Sequence, residues 1–143
     1  MDDEAVRLFA GARVARLATV DGEGRPHLVP VVFVVLGAAI WSAVDAKPKS
    51  TRALRRLENI ESHPAVSVLV DHYDDDWTQL WWVRADGDAA IVAATDPEGE
   101  RALDALAAKY PQYVTDRPAG PLIRVDVGRW SSWRHGGAGT VTA

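Results

Sequence analysis

Residues 12–36 read ARVARLATVDGEGRPHLVPVVFVVL, and they carry the clearest structural pattern in the chain. Residues 12–20 alternate as a half-buried strand does, and the turn residues Asp21-Gly-Glu-Gly24 follow directly. Residues 25–36 form a Val-rich run that predicts one long strand, and Gly37 with Ala38 turns the chain into a third strand over residues 39–44. Three β runs joined by tight turns predict an antiparallel meander.

The helical signals lie on both sides of further strand patterns. Leu54, Leu57 and Ile60 recur at helical spacing, and Thr95-Asp96-Pro97-Glu98 combines a cap, a proline and an acid at a helix start. We predict helices over residues 2–11, from Ser50 or Thr51 to the residue before Pro64, and from Pro97 to the residue before Pro111.

The remaining β patterns complete the architecture. Further strands are predicted over residues 65–72, 80–92 and 122–133, with a bend at Gly87. The sequence therefore predicts a mainly-β fold with two or three helices, arranged as a small closed barrel. We predict a single domain over residues 1–134 and a flexible C-terminal tail over residues 135–143.

Composition excludes several classes of function. The 143 residues are 48% hydrophobic and 25% charged, which is typical of one globular domain. A net charge of −4 argues against a nucleic-acid-binding protein, and the lack of cysteine excludes disulfides and thiolate ligands. The four histidines have no ligand spacing, so we predict no metal site. The sequence shows no signal peptide and no membrane span, which predicts a cytoplasmic protein without membrane partners.

The segment KPKSTRALRR, residues 47–56, is termed the basic segment. It holds five cations and no acid in a chain that is acidic overall, at the point where a strand ends and a helix begins. Helix N-termini present free N–H groups and a positive dipole end, which suit phosphate. Arginine can bind two phosphate oxygens at once. The alternative interpretation is a solvated basic surface on an ordinary helix.

The sequence resembles the flavin- and deazaflavin-binding split-barrel superfamily, whose best-known member is pyridoxamine 5′-phosphate oxidase. Within it, the chain looks most like the F420-dependent branch of small actinobacterial oxidoreductases. The resemblance is carried by RLATVDG (16–22) with GRPHLVPVVF (24–33), DAKPKSTRALRRLENI (45–60), HPAVSVLVDHY (63–73) and DWTQLWWVRADG (76–87). It implies an FMN-binding-like split β-barrel that forms a homodimer.

The resemblance also implies roles for individual residues. The cofactor is implied to be coenzyme F420, with FMN as the alternative, and the reaction a hydride transfer to or from a small conjugated substrate without a catalytic side chain. A non-catalytic F420-binding or carrier protein is a further alternative. The residues implied to contact the cofactor are Lys49, Ser50, Thr51 and Arg52 at the phosphate, Lys47, Arg55 and Arg56 at an acidic tail, and Pro30 and Val31 along the ring.

The tryptophans allow two interpretations. Trp77, Trp81, Trp82, Trp130 and Trp133 fall in two short stretches, and large aromatic side chains usually fill a core or a subunit interface. The resemblance implies that one or two of them wall the ring pocket from the partner subunit. Trp77 and Trp81 are the candidates for that role.

Overall fold

The computed structural model describes residues 3–44, 51–136 and 141–142. Its first hairpin follows the predicted meander. Strand β1 (Ala15–Val20) pairs antiparallel with β2 (Pro26–Val31). In the connecting turn, Asp21 Oδ1 accepts hydrogen bonds from the N–H groups of Glu23 and Arg25, each 2.9 Å long. Gly24 takes a positive φ of 79°, a conformation that favours glycine.

The predicted long strand over residues 25–36 is wrong, because the chain changes partners in its middle. Strand β2 ends at Val31, and β3 (Val34–Leu36) pairs with β4 (Ala39–Ala43) instead of β1. The two residues between them, Val32 and Phe33, are termed the crossing. Side chains satisfy their backbone groups: Ser42 Oγ donates to the Val32 carbonyl at 2.8 Å.

The order of strands explains why the sheet closes. The remaining strands are β5 (Ala65–His72), β6 (Trp81–Val92) and β7 (Leu122–Arg134). The order is β2-β1-β5-β6-β7-β4-β3, with all neighbours antiparallel. Since β2 and β3 lie at opposite ends of this order yet are joined by the crossing, the sheet must curl until its two end strands come together there. The result is the predicted split β-barrel.

The predicted bend in β6 is confirmed. The register of β6 on β7 shifts between Asp86 and Gly87. A Cβ at Gly87 would collide with the backbone carbonyl of Asp126, so the two strands approach there as closely as glycine permits.

Three longer helices match the predicted ones, and a single turn is added. They are α1 (Asp3–Gly11), α2 (Thr51–Ser62), α3 (Pro97–Lys109) and the short α4 (Gln112–Thr115). Asp96 caps α3 by accepting from the Glu98 N–H at 2.9 Å. A 3₁₀ turn also lies at Trp77–Gln79. None of the helices in the described ranges is long and apolar enough to cross a membrane.

Two apolar clusters form the core. The larger fills the barrel and includes Phe9, Leu17 and Phe33, and the edge of Trp130 meets the Phe9 ring at 5.0 Å between centroids. The smaller lies under α3 and includes Trp41 and Leu106. Trp130 therefore serves the core.

The C-terminal residues differ from the predicted tail at one place. Val141–Thr142 form a short strand, β8, that pairs with Ser131 and Ser132 of β7. Strand β4 pairs with β7 only over residues 122–126, which leaves this part of β7 open to β8.

Candidate cofactor site

Part of the basic segment lies outside the described residues. Lys47, Lys49 and Ser50 fall in the gap over 45–50. Thr51 and Arg52 form the first turn of α2, and their side chains are likewise outside the described part. The structure thus places the backbone of a helix start where the sequence predicts one, within the predicted phosphate-binding run over residues 49–52.

The position of α2 is fixed by its inward face. The helix packs on β1 and β6. Ile60 is buried in the barrel core, and the buried Asn59 amide donates to the hydroxyl of buried Thr19 at 3.1 Å. A buried polar pair of this kind fixes rotation and height, since any slip leaves both groups unsatisfied.

Arg56 lies one helical turn before Asn59, on the same side of α2. Its side chain is half-buried, and its Nε is shielded from solvent without a hydrogen-bond partner among the described residues. Burial lowers the pKa of the Arg56 guanidinium, and none of the ion pairs between described residues includes it. Within the described ranges, the Arg56 guanidinium is therefore a cation without an anionic partner.

Arg124 shows how this chain treats another half-buried arginine. Its guanidinium contacts Glu98 at 2.7 Å and Asp126 at 3.1 Å. The hydrogen bond that Arg124 donates to the Glu98 carboxylate is the main reason that the pKa of Arg124 rises. The two arginines have opposite environments, because Arg124 is paired within the chain and Arg56 has no ion-pair partner among the described residues.

A second nitrogen without a partner lies nearby. His27 is the cross-strand partner of Thr19, and its Nδ1 is buried with no hydrogen-bond partner in the part of the chain that the structure describes. Thr19 thus links His27 on one side to Asn59, and through α2 to Arg56, on the other. Both His27 Nδ1 and Arg56 Nε are therefore buried nitrogen atoms without a hydrogen-bond partner among the described residues.

Arg55 faces a different surface. It is exposed and lines an open cleft of about 620 Å³ between α2 and the β1–β2 turn, together with Arg25, Asp21, Glu23 and Glu58. Backbone hydrogen bonds from Arg25 and Glu23 are the main cause of the lowered pKa of Asp21, and the charges of Arg25 and Arg55 add to it. Arg55 and Arg56 are therefore not equivalent, because acids balance the cations in this cleft.

Pro30 and Val31 end β2. Val31 is buried in the core, and Pro30 is exposed on the opposite face. Among the described strands, β2 pairs with β1 alone, so its other edge keeps backbone groups available for a ligand. Pro26 and Pro30 are compatible with this edge position, since proline lacks the N–H donor.

The two candidate tryptophans have different environments. Trp77 is 64% exposed in the 3₁₀ turn. Trp81 is half-buried, packs against the barrel core and stacks on His72 with 5.8 Å between ring centroids. Trp82 and Trp133 are cross-strand partners that point to the outside of the barrel.

The outer face of β2, β1 and β5 is partly apolar. This surface, termed the outer face, consists of Leu28, Pro30, Arg16, Ala18, Ser67 and Leu69. Leu28 is 66% exposed, and Ala18 and Leu69 are half-buried. Arg16 is neutralised by Asp71 at 3.5 Å, so the charge on this surface is already paired within the chain.

These features define a mainly antiparallel split β-barrel with a cationic helix beside its first hairpin. The sequence profile of the pyridoxamine 5′-phosphate oxidase family matches residues 1–134. The chain belongs to that family.

Solved structures show the same fold. The conserved hypothetical protein Rv2991 of Mycobacterium tuberculosis aligns with a TM-score of 0.76 and 25% identity, over 95% of this chain and 86% of its own. A heme binding protein of Mycobacterium smegmatis aligns with a TM-score of 0.76 and 20% identity, over 98% and 56%. An FAD-binding protein of Mesorhizobium loti aligns with a TM-score of 0.70 and 19% identity, over 92% and 93%.

Proposed function

We propose that this protein is an oxidoreductase that binds coenzyme F420 and passes hydride between it and a small, conjugated, electron-poor substrate. The observation that carries the proposal is the half-buried Arg56, whose Nε has no partner among the described residues. Leaving such a group unpaired costs free energy, and an anionic cofactor would offset that cost.

The chain's own residues would hold the cofactor by its two ends. Arg56 and the other cations of the basic segment would bind the phosphate and the carboxylates. The free edge of β2 at Pro30 and Val31 would contact the ring. When bound, the deazaflavin supplies the hydride chemistry, and the protein supplies orientation and exclusion of water. A catalytic side chain is not required for that step.

The length of the basic segment favours F420 over FMN. FMN ends in one phosphate, which a single helix start can bind. F420 carries a phosphodiester and several carboxylates. The five cations are spread over the ten residues from Lys47 to Arg56, which is more than one phosphate can use.

A second copy of the chain is the partner we propose for the outer face. Leu28 and Pro30 expose apolar surface there, and the ion pair of Arg16 with Asp71 removes the need for a charged partner. Apolar surface with neutralised charge is typical of contacts between identical subunits. The exposed Trp77 would then be available to the partner's ring pocket.

The test is a set of parallel titrations of the purified protein with F420, FMN and haemin. We expect F420 to bind with a Kd in the micromolar range or tighter, and the other two at least about tenfold more weakly. The protein loaded with reduced F420 is then mixed with a panel of conjugated acceptors. Oxidation only when an acceptor is present supports an enzyme, whereas binding without turnover on any acceptor favours the carrier alternative. Tighter binding of FMN or haemin would contradict the proposal.

A further inference from the structure

The crossing is hydrogen-bonded to Tyr110, which lies 77 residues further along the chain than Phe33. The Tyr110 hydroxyl accepts a hydrogen bond from the Phe33 N–H at 3.2 Å, and it lies 3.1 Å from the Phe33 carbonyl and 3.0 Å from the Arg13 carbonyl. Its single proton can be donated to either carbonyl. One side chain thus replaces the ladder hydrogen bonds that Phe33 lacks between β2 and β3.

The position of Tyr110 is itself fixed. It caps the C-terminus of α3 by donating its N–H to the Leu106 carbonyl at 2.8 Å. The Arg13 guanidinium lies 4.8 Å from the centroid of its ring. Burial is the main cause that raises the pKa of the Tyr110 hydroxyl, which keeps the proton available. Tyr110 therefore ties the end of α3 to the crossing.

We propose that Tyr110 is a positioning residue for the cofactor ring. Pro30 and Val31 immediately precede the crossing, and Val32 alone separates Val31 from Phe33, so the backbone geometry at Phe33 affects the direction in which β2 ends. Ser42 fixes Val32 in the same way through the Val32 carbonyl. The two hydroxyls set where β2 leaves the barrel wall, and with it the backbone that contacts the ring. This inference rests on the proposed function.

The experiment separates the fixing of the crossing from the binding of the ring. The variants are Tyr110→Phe, Ser42→Ala and, as a matched control, Tyr73→Phe, whose side chain is exposed. The first readout is hydrogen exchange of the Phe33 amide in protein without cofactor. The second is the affinity for F420 and for the deazaflavin riboside, which has the ring but neither phosphate nor tail.

We expect Tyr110→Phe to speed exchange at Phe33 without speeding exchange at Val68 in the core strand β5. We expect Tyr110→Phe to weaken the binding of F420 and of the riboside by the same factor, about fivefold to tenfold, or roughly 1 to 1.4 kcal/mol. Ser42→Ala should act in the same direction, and it carries the test if Tyr110→Phe fails to fold. Tyr73→Phe should change neither readout.

Faster exchange at Phe33 with unchanged affinity for both ligands would overturn the positioning role, as would unchanged exchange. Weaker binding of F420 with normal binding of the riboside would also overturn it, since the effect would then lie at the anionic end. Failure of the proposed function gives a different result, because the unaltered protein would itself bind neither F420 nor the riboside.

Discussion

The ammonium nitrogen of Lys109 lies 3.9 Å from the centroid of the Phe33 ring. The same nitrogen donates to the carbonyl of Ala10 at 2.9 Å, and the Lys109 carbonyl accepts from Arg13 at 2.9 Å. Lys109 thus joins the ends of α1 and α3 to the crossing. Burial, followed by the nearby Arg13 charge, lowers the pKa of Lys109 from 10.5 to about 8.

This pKa predicts a pH-dependent contribution to stability. Between the folded value and the unfolded value the unfolded chain binds more protons, so stability from Lys109 rises with pH across this window and is lost as pH falls through the folded pKa. We expect the unfolding free energy of the natural protein, minus that of Lys109→Met, to increase from pH 7 to 9.5 in urea titrations at about pH 7, 8.5 and 9.5. Arg117→Met, which breaks the exposed ion pair of Arg117 with Asp104, is the control, and its difference should be flat. A flat difference for Lys109→Met as well would contradict the assignment.

Arg56 predicts a variant that is weaker in binding and no weaker in folding. Replacing Arg56 with Met removes a half-buried charge without a described partner, so we expect stability to stay level or rise by up to about 1 kcal/mol. A charge-assisted hydrogen bond contributes about 1.5–3 kcal/mol, so F420 affinity should fall about 10- to 150-fold.

Three further variants complete this test by thermal unfolding and titration. Arg124→Met breaks contacts with Glu98 and Asp126 and should destabilise the fold while leaving F420 binding intact. Lys49→Ala and Arg52→Ala should weaken binding with little effect on stability. If Arg56→Met unfolds the protein, Arg56 is structural.

The close approach of β6 and β7 at Gly87 predicts a steric cost for a larger residue there. Ala at Gly87 would force its methyl group against the Asp126 carbonyl, and we expect a loss of about 1–3 kcal/mol in the free energy of unfolding. Gly11 has open space around the same position, so Gly11→Ala should be neutral or slightly stabilising. If the Ala substitutions at Gly87 and Gly11 changed the free energy of unfolding equally in chemical denaturation, β6 and β7 would be able to separate at Gly87.

The outer face predicts which substitution disrupts a homodimer. We expect a mass of about 31 kDa, twice the 15.5 kDa chain, by light scattering. Leu28→Glu should yield monomers, because a charge would be buried in the interface. Val114→Glu is the matched control, since Val114 on α4 is 70% exposed, similar to Leu28. A stable monomer at micromolar concentration would contradict both the dimer and a pocket shared between subunits.

Local sequence patterns predicted most of the fold. The alternation before Asp21, the turn chemistry at Gly24 and the proline at the start of α3 act over a few residues, and each of those elements forms as predicted. The break at the crossing has no local signal, because the residue that satisfies Phe33 is Tyr110. The strand pattern continues through Val32 and Phe33, so only the tertiary contact reveals the change of partner.

The candidate site was predicted in part. The sequence marks the basic segment, and the resemblance implies the same outer role for Arg55 and Arg56. In the structure Arg55 is exposed and Arg56 is half-buried. The available signal was helical spacing. Arg56 precedes Asn59 and Ile60 by three and four residues, which places it on the buried side of α2. The orientation of Trp81 toward the core likewise follows from alternation with buried Val83.

The last prediction concerns how salt affects cofactor binding. The cations of residues 47–56 would contact F420 along its exposed tail, and such contacts are screened at the roughly 8 Å Debye length of physiological salt. Arg56 is half-buried, so its contact with a phosphate should be screened less than that of the exposed Arg55. We therefore expect F420 affinity to fall with rising salt in fluorescence titrations, and Arg55→Met to reduce the slope of that fall. Arg56→Met should lower the affinity at every salt concentration and leave the slope nearly unchanged.

FMN, which has no tail, should show a shallower slope in the natural protein. Equal slopes for F420 and FMN, together with equal or tighter binding of FMN, would favour the flavin as the natural cofactor.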